Sequence, residues 1–579
     1  MERIKFYVEK HPDMFSILLI AVLCGIFLFF GLNFYPLIDV DETRYAVMAR
    51  DMANSNDWNV LLLNSVPFLE KPPFYFWIVG LSVKLFGNFS TFAVRFPIAL
   101  MATFLIFYTY FFGKKVISRK FGLISSIVLL TNVFYLIFAH IAILDMVLTV
   151  WIASSLYTAF LAFNETSRLK KYYWWLFWVF VGLGFLAKGI LALAIPMVIL
   201  FIYAFLTKSL KDMFKPLHFL VGFAIFLLIA LPWHIIMYRD YGFYFINEYF
   251  IKHHFARLID SNNIGRKHSF FYFIPVFLVA FMPWTIIFFA AIIKDCKKLI
   301  NRFINTEGNF YNRVMTSLVV KNNTQKLLLF SAIFFVVVFG VMSVSSTKLP
   351  TYILPVIPAA ALITGYFWCN DFENNKIALS ISTHVLSLIF IIASIGASIA
   401  LIFLPENIFE LIDSFKYPIL LGCSFVGILL LLQLQTKKIM SIFSGYVITM
   451  LFIITFAVTG LFNIIYSGGE NELVTFSKYA STMNTRLVTF DFAVKPSVKI
   501  NYDNYVYFIT DDNFEELNKF LTPTSLPTYI ITKNKQAIQN GYQEKLDNEL
   551  CLVKRGEKYS LYINKNLPEK LRVNPFIEN

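Results

Sequence analysis

Two acids, a guanidinium and a phenol stand within five residues of one another in Asp41-Glu42-Thr43-Arg44-Tyr45. Asp41, Arg44 and Tyr45 have i, i+3, i+4 spacing, so a helix beginning there presents all three on one face. A carboxylate so placed can take a proton from an attacking hydroxyl. Capping of the helix start, worth about 1 kcal/mol, suits Asp39 better than Asp41, which reads as functional. Further on, Glu70-Lys71-Pro72-Pro73 precedes the aromatic run Phe74-Tyr75-Phe76-Trp77. Pro72 keeps Lys71 out of the helical region, so Glu70 and Lys71 stand on extended backbone. The same residues would serve a membrane-interface anchor, with the lysine snorkelling and the rings at headgroup depth, and both readings stay open.

Asp145, Lys188 and Lys348 stand in or at the edge of apolar runs. A charge at the centre of a membrane helix costs roughly 2.5–3.5 kcal/mol, so charges kept beside such runs are candidates for function, with solvated loop charges as the plain alternative. Lys252-His253-His254-Phe255-Ala256-Arg257 forms another cluster. Adjacent histidines cannot both face one ligand position on a helix, so it is no metal motif by itself.

The elements that must carry these residues follow from composition. The chain has 579 residues, 58% hydrophobic and 15% charged, with a net charge of +14. A soluble chain carries about 25% charged residues, which excludes an ordinary soluble enzyme. Apolar blocks of about 20 residues recur, the length that crosses the hydrocarbon. A transmembrane β-barrel would instead alternate apolar and polar residues in segments of about ten. The blocks predict about 13 transmembrane helices near 14–34, 93–113, 121–139, 146–163, 173–187, 189–206, 217–238, 270–293, 327–345, 350–368, 378–404, 417–435 and 440–465. Lys and Arg gather in the short gaps between them, the positive-inside pattern, so the charge reflects topology and no nucleic acid is expected as partner. The odd count puts the C-terminus and the long loops 35–91 and 239–269 outside. Asp145, Lys188 and Lys348 fall on that same side. The five cysteines offer no disulfide framework.

After residue 466 the composition changes. Short β-rich runs alternate with helical stretches over 467–579, which predicts a small α/β domain outside the membrane, read as accessory to a transmembrane domain over 1–466.

Taken in order, Asp41-Glu42-x-Arg44-Tyr45, Glu70-Lys71-Pro72-Pro73, the Asp145 turn, Ala187-Lys188-Gly189 and Lys348-Leu349-Pro350-Thr351-Tyr352 resemble a family. It is that of the bacterial undecaprenyl-phosphate aminoarabinose (4-amino-4-deoxy-L-arabinose) transferases that modify lipid A, within the protein O-mannosyltransferase-like superfamily of GT-C fold. The resemblance spans roughly the first 370 residues. It implies an all-α polytopic protein of the inner membrane, with the active site and a small α/β domain on the periplasmic side. By this likeness Asp41 lies at the reaction centre and Asp145 lines a second acidic position. Arg44, Lys71, Lys348 and Tyr352 hold the polyprenyl phosphate, with Lys188 nearby. A divalent metal, Zn2+ or Mg2+, would rest on Glu70 and His254. The relatives' Glu-His-x-x-Arg-Phe segment reads His253-His254-Phe255-Ala256-Arg257-Leu258 here, so the histidine register depends on Arg257.

The expected partners are a polyprenyl-phosphate sugar, lipid A or another glycan or lipid acceptor, and membrane lipids, the chain acting as a monomer. Two alternatives remain: a protein O-mannosyltransferase, and a lipid or glycan transporter. The transporter would want charges or broken helices at mid-depth, whereas these charges collect at outer ends. Breaking a sugar–phosphate bond builds positive charge on the ring and negative charge on the phosphate, which fixed cations in a water-poor site stabilise.

Overall fold

A computed structural model describes residues 11–256, 268–307, 322–373, 377–402, 439–481, 485–500, 504–521 and 527–564, with isolated positions between these stretches. The chain divides into two compact units. The first comprises Met1–Leu32, Leu69–Ile78 and Arg95–Phe456; the second comprises Asn33–Phe68, Val79–Val94 and Ala457–Asn579.

The first unit is a helical bundle. Among the described residues seven helices are long and apolar enough to cross a membrane, or up to nine if each of two bent pairs counts as one span. Leu169–Lys188 and Leu191–Leu206, both expected as spans, are helices outside that count. The run 417–435 lies almost wholly outside the described residues. Leu144–Asn164 is buried along most of its length and packs against Leu169–Lys188.

The run expected as one span at 121–139 is broken by 63° between Arg119–Leu130 and Val133–His140. Asn132 serves both broken ends. Its side chain accepts from Tyr135 N (2.9 Å) and donates to Leu129 O (2.6 Å). A second pair, Phe270–Ala280 and Thr285–Ile304, is bent by 116°. The two breaks complete one another: Val133 N donates to Met282 O (3.0 Å), and Trp284 Nε1 donates to Thr131 Oγ1 (3.1 Å). Thr131, Asn132 and Trp284 are fully buried. Irregular backbone inside a membrane protein is tolerated where protein groups satisfy it in this way. A Cβ on Gly122 would stand 2.4 Å from Tyr110 O, so Thr91–Val116 and Arg119–Leu130 meet backbone to backbone only because glycine is there.

In the second unit, β1 (Leu62–Leu63) and β2 (Val66–Pro67) form an antiparallel ribbon. The tail supplies β3 (Arg486–Phe490), β4 (Val506–Ile509), β5 (Thr528–Lys533), β6 (Leu550–Arg555) and β7 (Tyr559–Asn564), in sheet order β4-β3-β5-β7-β6. β3 pairs parallel with β4 and β5, while β7 pairs antiparallel with β5 and β6. Side chains alternate between two cores as a strand requires. Leu487, Tyr529, Ile531 and Leu561 join Leu473 and Phe476 of helix Phe462–Ser481 on one face. Val488, Ile530 and Tyr562 join Leu517, Ala537 and Leu546 on the other. A boundary at residue 466 falls inside helix Phe462–Ser481. The loss of apolar character near Ser467 does not end that helix.

Candidate functional site

In the first unit the structure joins Asp145, Lys188 and Tyr352. Asp145 occupies the first turn of Leu144–Asn164, and Lys188 ends Leu169–Lys188. A carboxylate at a helix start and an ammonium at a helix end each complement the helix dipole. Gly189 lets the chain leave that helix at φ 81°, ψ −146°, a conformation that side chains avoid. Lys188 Nζ lies 2.6 Å from Asp145 Oδ1, with the side chains 16% and 15% exposed, and sits 5.2 Å from the centroid of the Tyr352 ring. Tyr75 Oη donates to Ala142 O at 2.5 Å and fixes the turn ahead of Asp145.

Lys348 follows Asn323–Val344, just before the 3-10 helix Pro350–Val356 that carries Tyr352. It is 4% exposed, and its Nζ donates to Ser345 O at 2.5 Å. Among the described residues it has no carboxylate within ion-pair distance. Ser345 in turn lines an apolar groove of about 500 Å3 together with Val198, Val336, Val337, Gly340, Val341 and Val344. Lys71 is partly buried, with Nζ 3.4 Å from Glu70 O.

In the second unit, helix Asp41–Ser55 starts where the spacing placed it. Arg44 Nη2 contacts Asp41 Oδ1 at 2.5 Å, and its guanidinium lies over the rings of Tyr45 (5.1 Å) and Phe68 (5.7 Å). Asp41 is 45% exposed and open to a ligand. Its acidic neighbours are structural. Glu42 is buried and accepts from Ile38 N at 2.7 Å. Asp39, 2% exposed, accepts from the Thr43 hydroxyl, from Ser497 Oγ (2.6 Å) and from Ser497 N (3.2 Å), with Lys495 Nζ at 3.7 Å. Arg50 donates to the carbonyls of Lys499 and Ile500. Asn64 exchanges two hydrogen bonds with the Val506 backbone, at 2.7 and 2.9 Å. Three contacts therefore tie residues 33–68 to the tail.

Arg257 lies outside the described residues, as does the side chain of His254, whose backbone belongs to Ile246–Ala256. Among the described residues no group of three or more His, Cys, Asp or Glu comes together. Glu70 is within electrostatic reach of the Lys252 ammonium. Of the two ligands that the resemblance implies, Glu70 alone has a described side chain, and a divalent metal takes more donors than one carboxylate.

The sequence reading passed over Arg95. It is fully buried, and its Nη1 donates to Leu32 O at 3.0 Å. A charge inside the apolar run 93–113 was the available signal.

The profile of the family described as dolichyl-phosphate-mannose-protein mannosyltransferase matches residues 70–236. The chain is 31% identical over 420 residues to the undecaprenyl phosphate-alpha-4-amino-4-deoxy-L-arabinose arabinosyl transferase of Wigglesworthia glossinidia brevipalpis, covering 71% of this chain and 66% of that protein. The protein of the same name from Edwardsiella ictaluri is 30% identical over 64% of this chain and 62% of its own length. The chain thus spans just under two thirds of the length of these relatives. Among solved structures, ArnT from Cupriavidus metallidurans bound to undecaprenyl phosphate aligns over 97% of this chain and 99% of that one, with a TM-score of 0.73 at 19% identity. The fold is that of a polytopic membrane protein of the GT-C class. Within that class, the chain is similar to the bacterial undecaprenyl-phosphate aminoarabinose transferases.

Proposed function

We propose that this protein transfers an aminosugar of the 4-amino-4-deoxy-L-arabinose type from undecaprenyl phosphate to lipid A, at the periplasmic face of the bacterial inner membrane. The observation that supports this best is Lys348, a buried ammonium with no carboxylate partner among the described residues, hydrogen-bonded to Ser345, which lines an apolar groove. Burying an uncompensated charge costs several kcal/mol, and the phosphate of a lipid carrier would offset it while the isoprenoid lay in the groove.

In the reaction the bond between the anomeric carbon and the carrier phosphate oxygen breaks, and its electrons stay on the phosphate. A new bond forms from an acceptor oxygen to that carbon. Lys348 and Lys71 stabilise the departing phosphate; the resemblance gives Arg44 the same role. An acceptor that is already an ionised phosphate needs no base; Asp41 then orients substrate or offsets the positive ring. A hydroxyl acceptor would pass its proton to Asp41. The Asp145–Lys188 pair, mutually neutralised, positions the residues around Tyr352.

The match of residues 70–236 to the mannosyltransferase profile favours a second reading, transfer of a hexose to a protein hydroxyl. Mass spectrometry of lipid A and of surface glycoproteins, from cells with and without the protein, separates the two. A phosphate-linked aminosugar lost from lipid A supports the first reading; loss of protein glycans with lipid A unchanged supports the second.

A further inference from the structure

The last eleven residues of helix Thr285–Ile304 carry Lys294, Lys297, Lys298 and Arg302 among the exposed apolar residues Leu299, Ile300 and Ile304. On a protein that spans a bilayer, exposed isoleucines meet hydrocarbon and interleaved cations lie at the level of the phosphates. This segment therefore sits at the membrane interface.

Its inward side walls a cavity of about 330 Å3, shared with the start of Asn323–Val344 and with Ile357–Glu373. Leu328, Leu329, Ala332 and Ile363 supply an apolar wall, and Lys298 and Arg302 a cationic rim. Asp295 pairs with Lys298 at 3.0 Å. Arg302 has no carboxylate within ion-pair distance among the described residues, so the rim keeps a net positive charge. The volume suits a headgroup with the first methylenes of its chains, not a whole acyl chain. The apolar groove beside Ser345 uses the other end of Asn323–Val344. The cavity takes this helix up to Ala332 and the groove takes it from Val336 onward, so the two features share no lining residue.

We propose that this cavity binds an anionic phospholipid of the surrounding bilayer. Its phosphate meets Arg302 and Lys298, and its first methylenes run along Leu328, Leu329 and Ala332. Charge selects the occupant: the rim complements an anionic headgroup and gives a zwitterionic one no net attraction.

Exposed Cys296 lines the same cavity and reports on it. The purified full-length protein in detergent is titrated with phosphatidylglycerol, phosphatidylcholine or inorganic phosphate. Native mass spectrometry counts bound lipid, and peptide mapping follows maleimide labelling of Cys296. Phosphatidylglycerol is expected to bind more tightly than phosphatidylcholine and to slow Cys296 labelling. Each of Lys298→Gln and Arg302→Gln should weaken that binding by about fivefold, the equivalent of roughly 1 kcal/mol per interfacial cation. Ala332→Trp should fill the cavity and abolish the protection. Equal affinity for the two lipids, or labelling that phosphatidylglycerol leaves unchanged in the unaltered protein, overturns the proposal. Protection by inorganic phosphate alone does too, since it marks a soluble-anion site. The unaltered protein decides the matter even where a variant fails to fold.

Discussion

Lys348 and Lys188 are lysines of similar sequence setting and opposite circumstance. Lys188 is matched by Asp145, whereas Lys348 is buried against a carbonyl. Lys348→Met therefore removes a charge that no carboxylate among the described residues offsets. It should leave thermal stability unchanged or raise it, while raising KM for the lipid-linked donor about tenfold or more, the loss expected of one charge-assisted contact. Donor titration beside a melting curve checks both. The Asp145–Lys188 pair behaves otherwise. Either single change, Asp145→Asn or Lys188→Met, should cost between the ~1 kcal/mol of an exposed pair and the ~3 kcal/mol of a buried one. The double variant should cost less than the sum, measured by unfolding in detergent. The face shared by Asp41, Arg44 and Tyr45 was legible because helical spacing is local. The Asp145–Lys188 contact joins residues 43 apart and depends on how two helices pack, which no spacing encodes.

Elements carry the next tests. Asn132 satisfies both ends of a broken helix, so Asn132→Ala leaves a buried N–H and a buried carbonyl without their partner. Each such group costs about 1–3 kcal/mol, and the variant should melt early. The run 121–139 reads as one continuous span because its composition is apolar throughout. The sign of the break is Thr131-Asn132 in its middle, an N-cap residue where none was expected. In the second unit, Asp39 anchors the start of helix Asp41–Ser55 to Ser497. Ser497→Ala should lower kcat with little change in donor KM, because it loosens the backbone carrying Asp41 without touching a lipid-binding cation. Ser497→Thr, which keeps the hydroxyl, should restore much of the rate. A rise in donor KM with kcat unchanged would contradict this role.

For the whole molecule, the tail shares a compact unit with residues 33–68, a grouping the sequence could not show because the contacts cross more than 440 residues. Composition separated the tail correctly as α/β and left its role as accessory. A chain ending after Ser481 loses Ser497, Ile500 and Val506, so limited proteolysis should cut within 33–68 far faster than in the full chain. The most direct test of the account uses the full-length protein in proteoliposomes, supplied with undecaprenyl-phosphate aminoarabinose and lipid A, with the lipid product read by mass spectrometry. Aminosugar on a lipid A phosphate with the unaltered protein, and none with a normally inserted Asp41→Asn variant, is the predicted result. Unmodified lipid A from the folded protein, or undiminished transfer by Asp41→Asn, would contradict it.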